Sequence, residues 1–255
     1  IAAIILDSYR ALEKLAKISN IDNDNVAITG WSLGGGVALF SAWMPVKNII
    51  SKELSFAAHL SFYPPCFFNL ENLSFTKSPM HILVGRDDNW TPAAPCERLV
   101  DKLSIKSNIG ITVYPDSHHG FDSEEPVVRN DKGFSFKNCL FDLDEKGDVL
   151  MNYLGLPMSN PILQKIGFLF CVERGVNIGG NFEARQNSLT FAKNFMKLLA
   201  PKEVKFINSY SYIFSPRPGT VAAKLDLIEK KTSIERLEKI QMELYENQTT
   251  MNKSL

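Results

Sequence analysis

The sequence carries no excess of either charge: 28 Lys and Arg balance 28 Asp and Glu over 255 residues, with a pI near 7.1. Binding to nucleic acid in general needs a basic excess on one face to neutralise phosphates, so no nucleic-acid partner is expected. Long apolar runs are also absent. The stretch 162–172 is interrupted by Gln164 and Lys165, well short of the roughly 20 residues a membrane helix requires, so no membrane span is expected. Cysteine is scarce: Cys66, Cys96, Cys139 and Cys171 lie 30 or more residues apart. Without paired spacing they exclude a zinc ribbon or a CxxC redox centre. They are expected to be reduced core or loop residues, in a protein expected to be cytoplasmic. There is no initiating methionine. Residue 1 is Ile and the first ten residues read as the middle of a helix, so an N-terminally truncated fragment is expected, for which a missing signal peptide carries no information.

What is present is ample apolar material, 45% of the residues, enough for at least one sizeable core. Over 1–18, Ile5, Tyr9, Leu12, Leu15 and Ala16 recur at helical spacing among charged residues, which predicts an amphipathic helix. A polar turn over 20–25 leads to a short strand over 26–29 and a helix over 33–43 rich in small residues. Further strands are predicted over 56–63, 80–84 and 109–114, each stopped by Pro or Gly, with a helix over 96–103. Strands without clean alternation, separated by helices, predict an α/β fold with a mainly parallel sheet covered on both faces. The pattern weakens over about 122–180, read as an insertion with turns around 134–143 and a helix near 161–172. A helix over 181–199 follows.

The character changes near Pro201. Residues 201–255 read as an unrelated tail, with an aromatic strand over 206–214 and a charged helix over about 228–248. From residue 202 onward the tail has nine basic and seven acidic residues, too even to imply an RNA-binding surface.

Chemistry concentrates in three segments. Gly30-Trp31-Ser32-Leu33-Gly34 fits G-x-S-x-G and lies between a predicted strand and a predicted helix, as a nucleophile elbow requires. Gly30 and Gly34 are expected to let strand and helix pass closely. A serine hydroxyl is a weak nucleophile until a base takes its proton. Gly85-Arg86-Asp87-Asp88-Asn89-Trp90-Thr91-Pro92 and Ser117-His118-His119-Gly120-Phe121 supply an acid and a base in the chain order serine, acid, histidine, each after a predicted strand. Parallel strands end on one edge of the sheet, so the three loops are expected to converge there. From these residues alone, either Asp87 or Asp88 could be the acid, and either His118 or His119 the base. A metal site at Asp116, His118, His119 and Asp122 is disfavoured, because adjacent histidines rarely face one ion. Gly34, Gly35 and Gly36 are not followed by Lys-Ser/Thr, which favours close helix packing over phosphate binding. Trp31 and Trp90 flank the nucleophile and acid and are candidates to line a substrate pocket. Met151, Met158, Phe168 and Phe170 are candidates for either a lid or an ordinary cap of the core.

The three motifs in this order resemble the dienelactone hydrolases of the α/β-hydrolase superfamily, over about residues 1–200. The resemblance implies a partial α/β-hydrolase fold and cleavage of ester or lactone carbonyls in a small-molecule substrate, with no metal or organic cofactor. It selects Asp88, three residues after the glycine that ends its strand, and His119, which precedes a small residue and Phe. It implies attack by Ser32, proton transfer through His119, orientation by Asp88, an acyl-enzyme, and Leu33 N–H as one oxyanion donor. The second donor is expected upstream of residue 1. Ser32 departs from the cysteine typical of the family's namesake and implies a broader range of esters.

The tail has its own resemblance. The segment 206–220, with Phe206, Tyr210, Tyr212, Phe214 and Ser215-Pro216-Arg217-Pro218-Gly219, followed by Glu235-Arg236-Leu237, resembles radical-SAM tRNA methylthiotransferases over 203–255. Those enzymes hold iron–sulfur clusters through cysteines, and this tail has none. The absent start and the foreign end are expected to reflect a join between unrelated coding segments. Two rival readings stand beside the hydrolase: a non-catalytic α/β-hydrolase-like binding module, and an RNA-modification protein. The oligomeric state is not legible.

Overall fold

In the computed structural model, which describes residues 1–19, 21–144, 146–151, 155–197 and six residues of the tail, the amphipathic N-terminal stretch folds as helix α1, Ala2–Leu15. Its Ile5, Tyr9 and Leu12 are buried, and the Tyr9 hydroxyl donates to the Ser41 carbonyl at 2.7 Å, so the apolar stripe packs inward as its spacing requires. Strand β1, Ile28–Trp31, then enters helix α2, Leu33–Phe40. The predicted helix over 33–43 is split in two. Trp43 has an extended backbone and caps a separate helix α3, Met44–Ile50, with Pro45 in its first turn, where the missing proline N–H breaks no helical bond.

Three more parallel strands follow: β2, His59–Phe62; β4, Met80–Gly85; and β5, Ile109–Tyr114. A short strand β3, Phe68–Leu70, lies between β2 and β4 in sequence but joins another sheet. The main sheet has the order β1-β2-β4-β5, with every pair parallel. Its central strands β2 and β4 are buried at nearly every position, the signature of a sheet covered on both faces. Helix α4, Ala93–Leu103, packs on β4 and β5. The core is built from Tyr9, Leu39, Trp43, Leu60, Phe62, Ile82, Leu83 and Phe121. The α/β class with a mainly parallel sheet is therefore as expected.

The insertion is richer in strands than its sequence pattern implies. β6, Val128–Ser135, pairs antiparallel with β9, Glu173–Ile178. β7, Phe141–Leu143, pairs with both β3 and β8, Val149–Met151. Helix α5, Pro161–Cys171, starts at Asn160, whose side chain accepts the Ile162 and Leu163 N–H groups. Met151 and Met158 are buried in a second apolar cluster with Phe67, Cys139, Phe141 and Cys171, against which Phe168 packs. Helix α6, Phe182–Lys197, completes the series.

The cysteines are not reduced. Cys66 is bonded to Cys96, and Cys139 to Cys171. Partners 30 and 32 residues apart meet only once β2 and α4, or β7 and α5, have packed, and connectivity of this kind is not deducible from spacing.

The chain divides into two compact units, Ile1–Pro201 and Lys202–Leu255. The aromatic strand expected over 206–214 lies outside the described residues. Lys231, Thr232, Ile234, Glu235, Glu238 and Met242, all within the helix expected over 228–248, are helical. No helix among the described residues is long and apolar enough to cross a membrane.

Candidate active site

The site begins at a backbone strain. Ser32, between β1 and α2, has φ 53° and ψ −118°, a conformation that costs a non-glycine residue on the order of 1–3 kcal/mol and persists only when its surroundings over-determine it. They do so here through close passage of strand and helix. A Cβ at Gly30 would sit 2.1 Å from the Gly34 carbonyl oxygen, and one at Gly35 would sit 2.5 Å from that of Phe62. Gly34, expected to share this duty, has open space where its Cβ would be. Gly34 contributes its backbone to the contact, and Gly35 is the glycine that the close approach demands. Ser32 is anchored by its N–H to the Phe62 carbonyl at 2.9 Å.

The three predicted loops meet at the sheet edge. His119 Nε2 lies 2.9 Å from Ser32 Oγ, and His119 Nδ1 lies 2.8 Å from Asp88 Oδ2. With its proton on Nδ1, the imidazole donates to the carboxylate and leaves Nε2 to accept from the serine hydroxyl. His119 and Asp88 are only 4% and 3% exposed. The other carboxylate oxygen of Asp88 accepts the N–H groups of Trp90 and Thr91, each at 2.8 Å, so the acid is held by the turn it starts. Asp87 is exposed, and its carbonyl lies 2.9 Å from His118 Nδ1 on the outside of the site. The structure thus brings together Ser32, Asp88 and His119, and leaves Asp87 and His118 out.

Packing explains why the acid and histidine loops meet. A Cβ at Gly85 would lie 2.2 Å from the Ser117 carbonyl oxygen, and Asp87 N–H donates to that same carbonyl at 3.0 Å. The insertion clamps both loops. Ser135 Oγ donates to the Asn89 carbonyl at 2.5 Å, Asn89 Oδ1 accepts the Asn177 N–H at 2.9 Å, and Gly179 N–H donates to the His119 carbonyl at 3.0 Å.

Leu33 opens α2, whose first turn has no side-chain cap; the leading N–H groups of a helix lack intrahelical partners and face an incoming anion. Trp90 places its ring 5.0 Å from the His119 ring. Trp31 is 45% exposed, stacks on Phe62 at 5.0 Å, and donates its indole N–H to Asp122 at 2.7 Å.

Two neighbours escaped the sequence reading. Thr91 Oγ1 lies 2.9 Å from the Tyr63 carbonyl oxygen, 3.1 Å from Asp88 Oδ2 and 3.1 Å from His119 Nδ1. Tyr63 packs its ring 4.5 Å from the imidazole. Thr91 stood inside the acid motif, whereas the only local hint at Tyr63 was the Pro64-Pro65 pair behind it. An apolar cavity of about 620 Å³ lies between the start of α1 and the insertion, with Ile5, Phe40, Trp43, Phe136 and Phe168 in its wall; Ser32, Asp88 and His119 do not line it. Among the described residues, no group of three or more His, Cys, Asp or Glu side chains is placed to hold a metal ion.

A sequence model of the dienelactone hydrolase family matches residues 2–136. Among curated proteins, the tRNA-2-methylthio-N(6)-dimethylallyladenosine synthase of Pelagibacter ubique is 65% identical over 54 residues, 21% of this chain and 12% of that protein. The enzyme of the same name from Neorickettsia sennetsu is 26% identical over 132 residues, 46% of this chain and 28% of that protein. The chain therefore spans less than a third of the length of these curated relatives. Among solved structures, a dienelactone hydrolase-like promiscuous phosphotriesterase from metagenomic libraries aligns with TM-score 0.43 and 14% identity, covering 74% of this chain and 58% of that one. An α/β hydrolase from a Medee basin deep-sea metagenome library aligns with TM-score 0.37 and 21% identity, covering 46% and 50%. Esterase 2 of Thermogutta terrifontis aligns with TM-score 0.38 and 17% identity, covering 47% and 55%.

Proposed function

Because the chain belongs to the dienelactone hydrolase family, we propose that it is a serine hydrolase that cleaves carboxylic ester or lactone bonds, with Ser32 as nucleophile, His119 as general base and acid, and Asp88 as the orienting carboxylate. The observation that carries this reading is the unbroken relay from Ser32 Oγ through the imidazole to Asp88, at 2.9 and 2.8 Å. Both distances lie within the reach a nucleophile and its base require.

In the proposed reaction, Ser32 Oγ attacks the carbonyl carbon as its proton passes to His119 Nε2, and the imidazolium is stabilised by buried Asp88. The proton then goes to the leaving alkoxide, giving an acyl-enzyme. Water, deprotonated by the same nitrogen, attacks the acyl carbon, and the proton returns from His119 to Ser32 Oγ as the carboxylic acid leaves. Leu33 N–H is the proposed donor to the oxyanion, a role whose loss costs roughly 10²–10³ in turnover in other enzymes. Trp90, against the imidazole, and Trp31, beside the serine, are the proposed walls of the substrate pocket.

The 65% identity over 54 residues to a tRNA-2-methylthio-N(6)-dimethylallyladenosine synthase supports the resemblance read in the tail. We infer no nucleic-acid chemistry from it, since residues beyond Cys171 include no cysteine and the charge is nearly balanced. From the two disulfides we infer an oxidising compartment in place of the cytoplasm expected from sequence, because paired cysteines persist chiefly where thiols are not kept reduced.

The test is labelling by a fluorophosphonate probe followed by peptide mapping. Modification of Ser32, lost in Ser32→Ala and His119→Ala, is expected. A folded protein that hydrolyses no ester and whose Ser32 stays unlabelled would favour the binding module.

A further inference from the structure

Tyr63 has φ 36°, a left-handed backbone that a bulky residue adopts only when its surroundings impose it. It is 7% exposed, and its N–H donates to the Leu83 carbonyl at 2.7 Å while its carbonyl, ring and hydroxyl are held as well. Its carbonyl is within hydrogen-bond distance of Thr91 Oγ1, the hydroxyl that also reaches the acid and the base. Its ring lies against the His119 imidazole at 4.5 Å and edge-on to Phe121 at 5.5 Å. Its hydroxyl donates to Asp122 Oδ1 at 2.8 Å. The other oxygen of Asp122 accepts the indole N–H of Trp31, the residue immediately before Ser32. One carboxylate thus ties the segment that ends in the nucleophile to the ring that touches the base. Burial and the Asp122 charge push the Tyr63 phenol well above its ordinary range, so it remains a donor to that carboxylate at any working pH.

Resting on the hydrolase reading above, we propose that Asp122 is a positioning residue: by holding the Tyr63 hydroxyl on one oxygen and the Trp31 indole on the other, it keeps the Tyr63 ring against His119 and the imidazole in line with Ser32. The requirement is geometric, because a displacement of about 1 Å at a reacting group costs on the order of 10²-fold in rate. Tyr63 transmits the constraint, and Asp122 touches neither Ser32 nor His119 directly.

The experiment uses Asp122→Ala, Asp122→Asn, Tyr63→Phe and the double variant Asp122→Ala/Tyr63→Phe, with two readouts. In ester turnover, Tyr63→Phe is expected to lower kcat about tenfold with KM nearly unchanged, Asp122→Ala, which also frees Trp31, to lower kcat at least tenfold, and the double variant to be no slower than Asp122→Ala, since residues acting as one unit are non-additive. Asp122→Asn, whose amide oxygen still accepts one of the two donors, should recover part of the loss. In proton NMR, which needs no turnover, solvent exchange of the His119 Nδ1 proton should quicken in both single variants. Losses that multiply in the double variant, or unchanged Nδ1 exchange in folded variants, would overturn the proposal. If the unmodified chain turns over no ester yet Nδ1 exchange responds to Asp122, the hydrolase reading fails and the positioning inference stands.

Discussion

Replacing Cys66 and Cys96 together by Ala removes a cross-link whose partners are 30 residues apart. In the chain-entropy account, a loop of that size contributes about 3.7 kcal/mol by restricting the unfolded chain. For a folded unit of about 200 residues, each kcal/mol moves Tm by roughly 2–4 °C, so the variant should melt about 7–15 °C lower. The Cys139–Cys171 bond closes a loop with a separation of 32 and should be worth about the same. The two differ in what else they disturb. Cys66 lies three residues after Tyr63, and Cys96 follows the Asp88–Thr91 turn by one helical turn, so losing this bond should also slow ester turnover. Cys139 and Cys171 sit in the insertion's own apolar cluster, and their loss should lower Tm with little effect on turnover. The assay is thermal unfolding by circular dichroism, paired with thiol titration in guanidinium before and after reduction. No reactive thiol before reduction and four after it are expected. Four thiols in the unreduced protein, or a Cys66→Ala/Cys96→Ala variant melting within about 2 °C of the parent, would refute the reasoning.

Three further outcomes follow from the geometry. His119→Ala should reduce ester turnover by about 10⁴-fold or more, whereas His118→Ala, which loses only an exposed contact to the Asp87 carbonyl, should stay within about threefold; steady-state kinetics on both decides it. Gly30→Ala drives a Cβ to 2.1 Å from the Gly34 carbonyl oxygen and should cost about 3 kcal/mol, while Gly34→Ala, with open space at its Cβ, should gain up to about 1 kcal/mol of helix propensity; urea titrations separate them. His59 is buried with its pKa lowered from 6.5 to about 4 by desolvation, and its Nε2 has no hydrogen-bond partner. The unfolded chain takes up this proton first as pH falls, so stability is fully present above about 6.5 and declines toward pH 4, by about 3 kcal/mol at order of magnitude. His59→Leu should flatten that slope in denaturation curves at pH 7, 5.5 and 4.5.

Short-range chemistry was enough to place the elbow, the acid turn and the histidine loop. Each is written in consecutive residues after a strand, and parallel strands deliver their ends to one edge. The α/β class was legible for the same reason, since it shows in apolar periodicity and in Pro and Gly stops. Choosing Asp88 and His119 over Asp87 and His118 took the family resemblance, because adjacent residues of one type differ only in which way a folded loop turns them.

Packing alone decided the rest. The pairing of the four cysteines, the strands β6 to β9 of the insertion and the exchange of Gly34 for Gly35 at the close approach all depend on partners far along the chain. So do Thr91 behind the histidine and the span of Asp122 from Trp31 to Tyr63. A local pattern records how one segment buries its apolar face, whereas these contacts exist only where separate segments arrive at the same place.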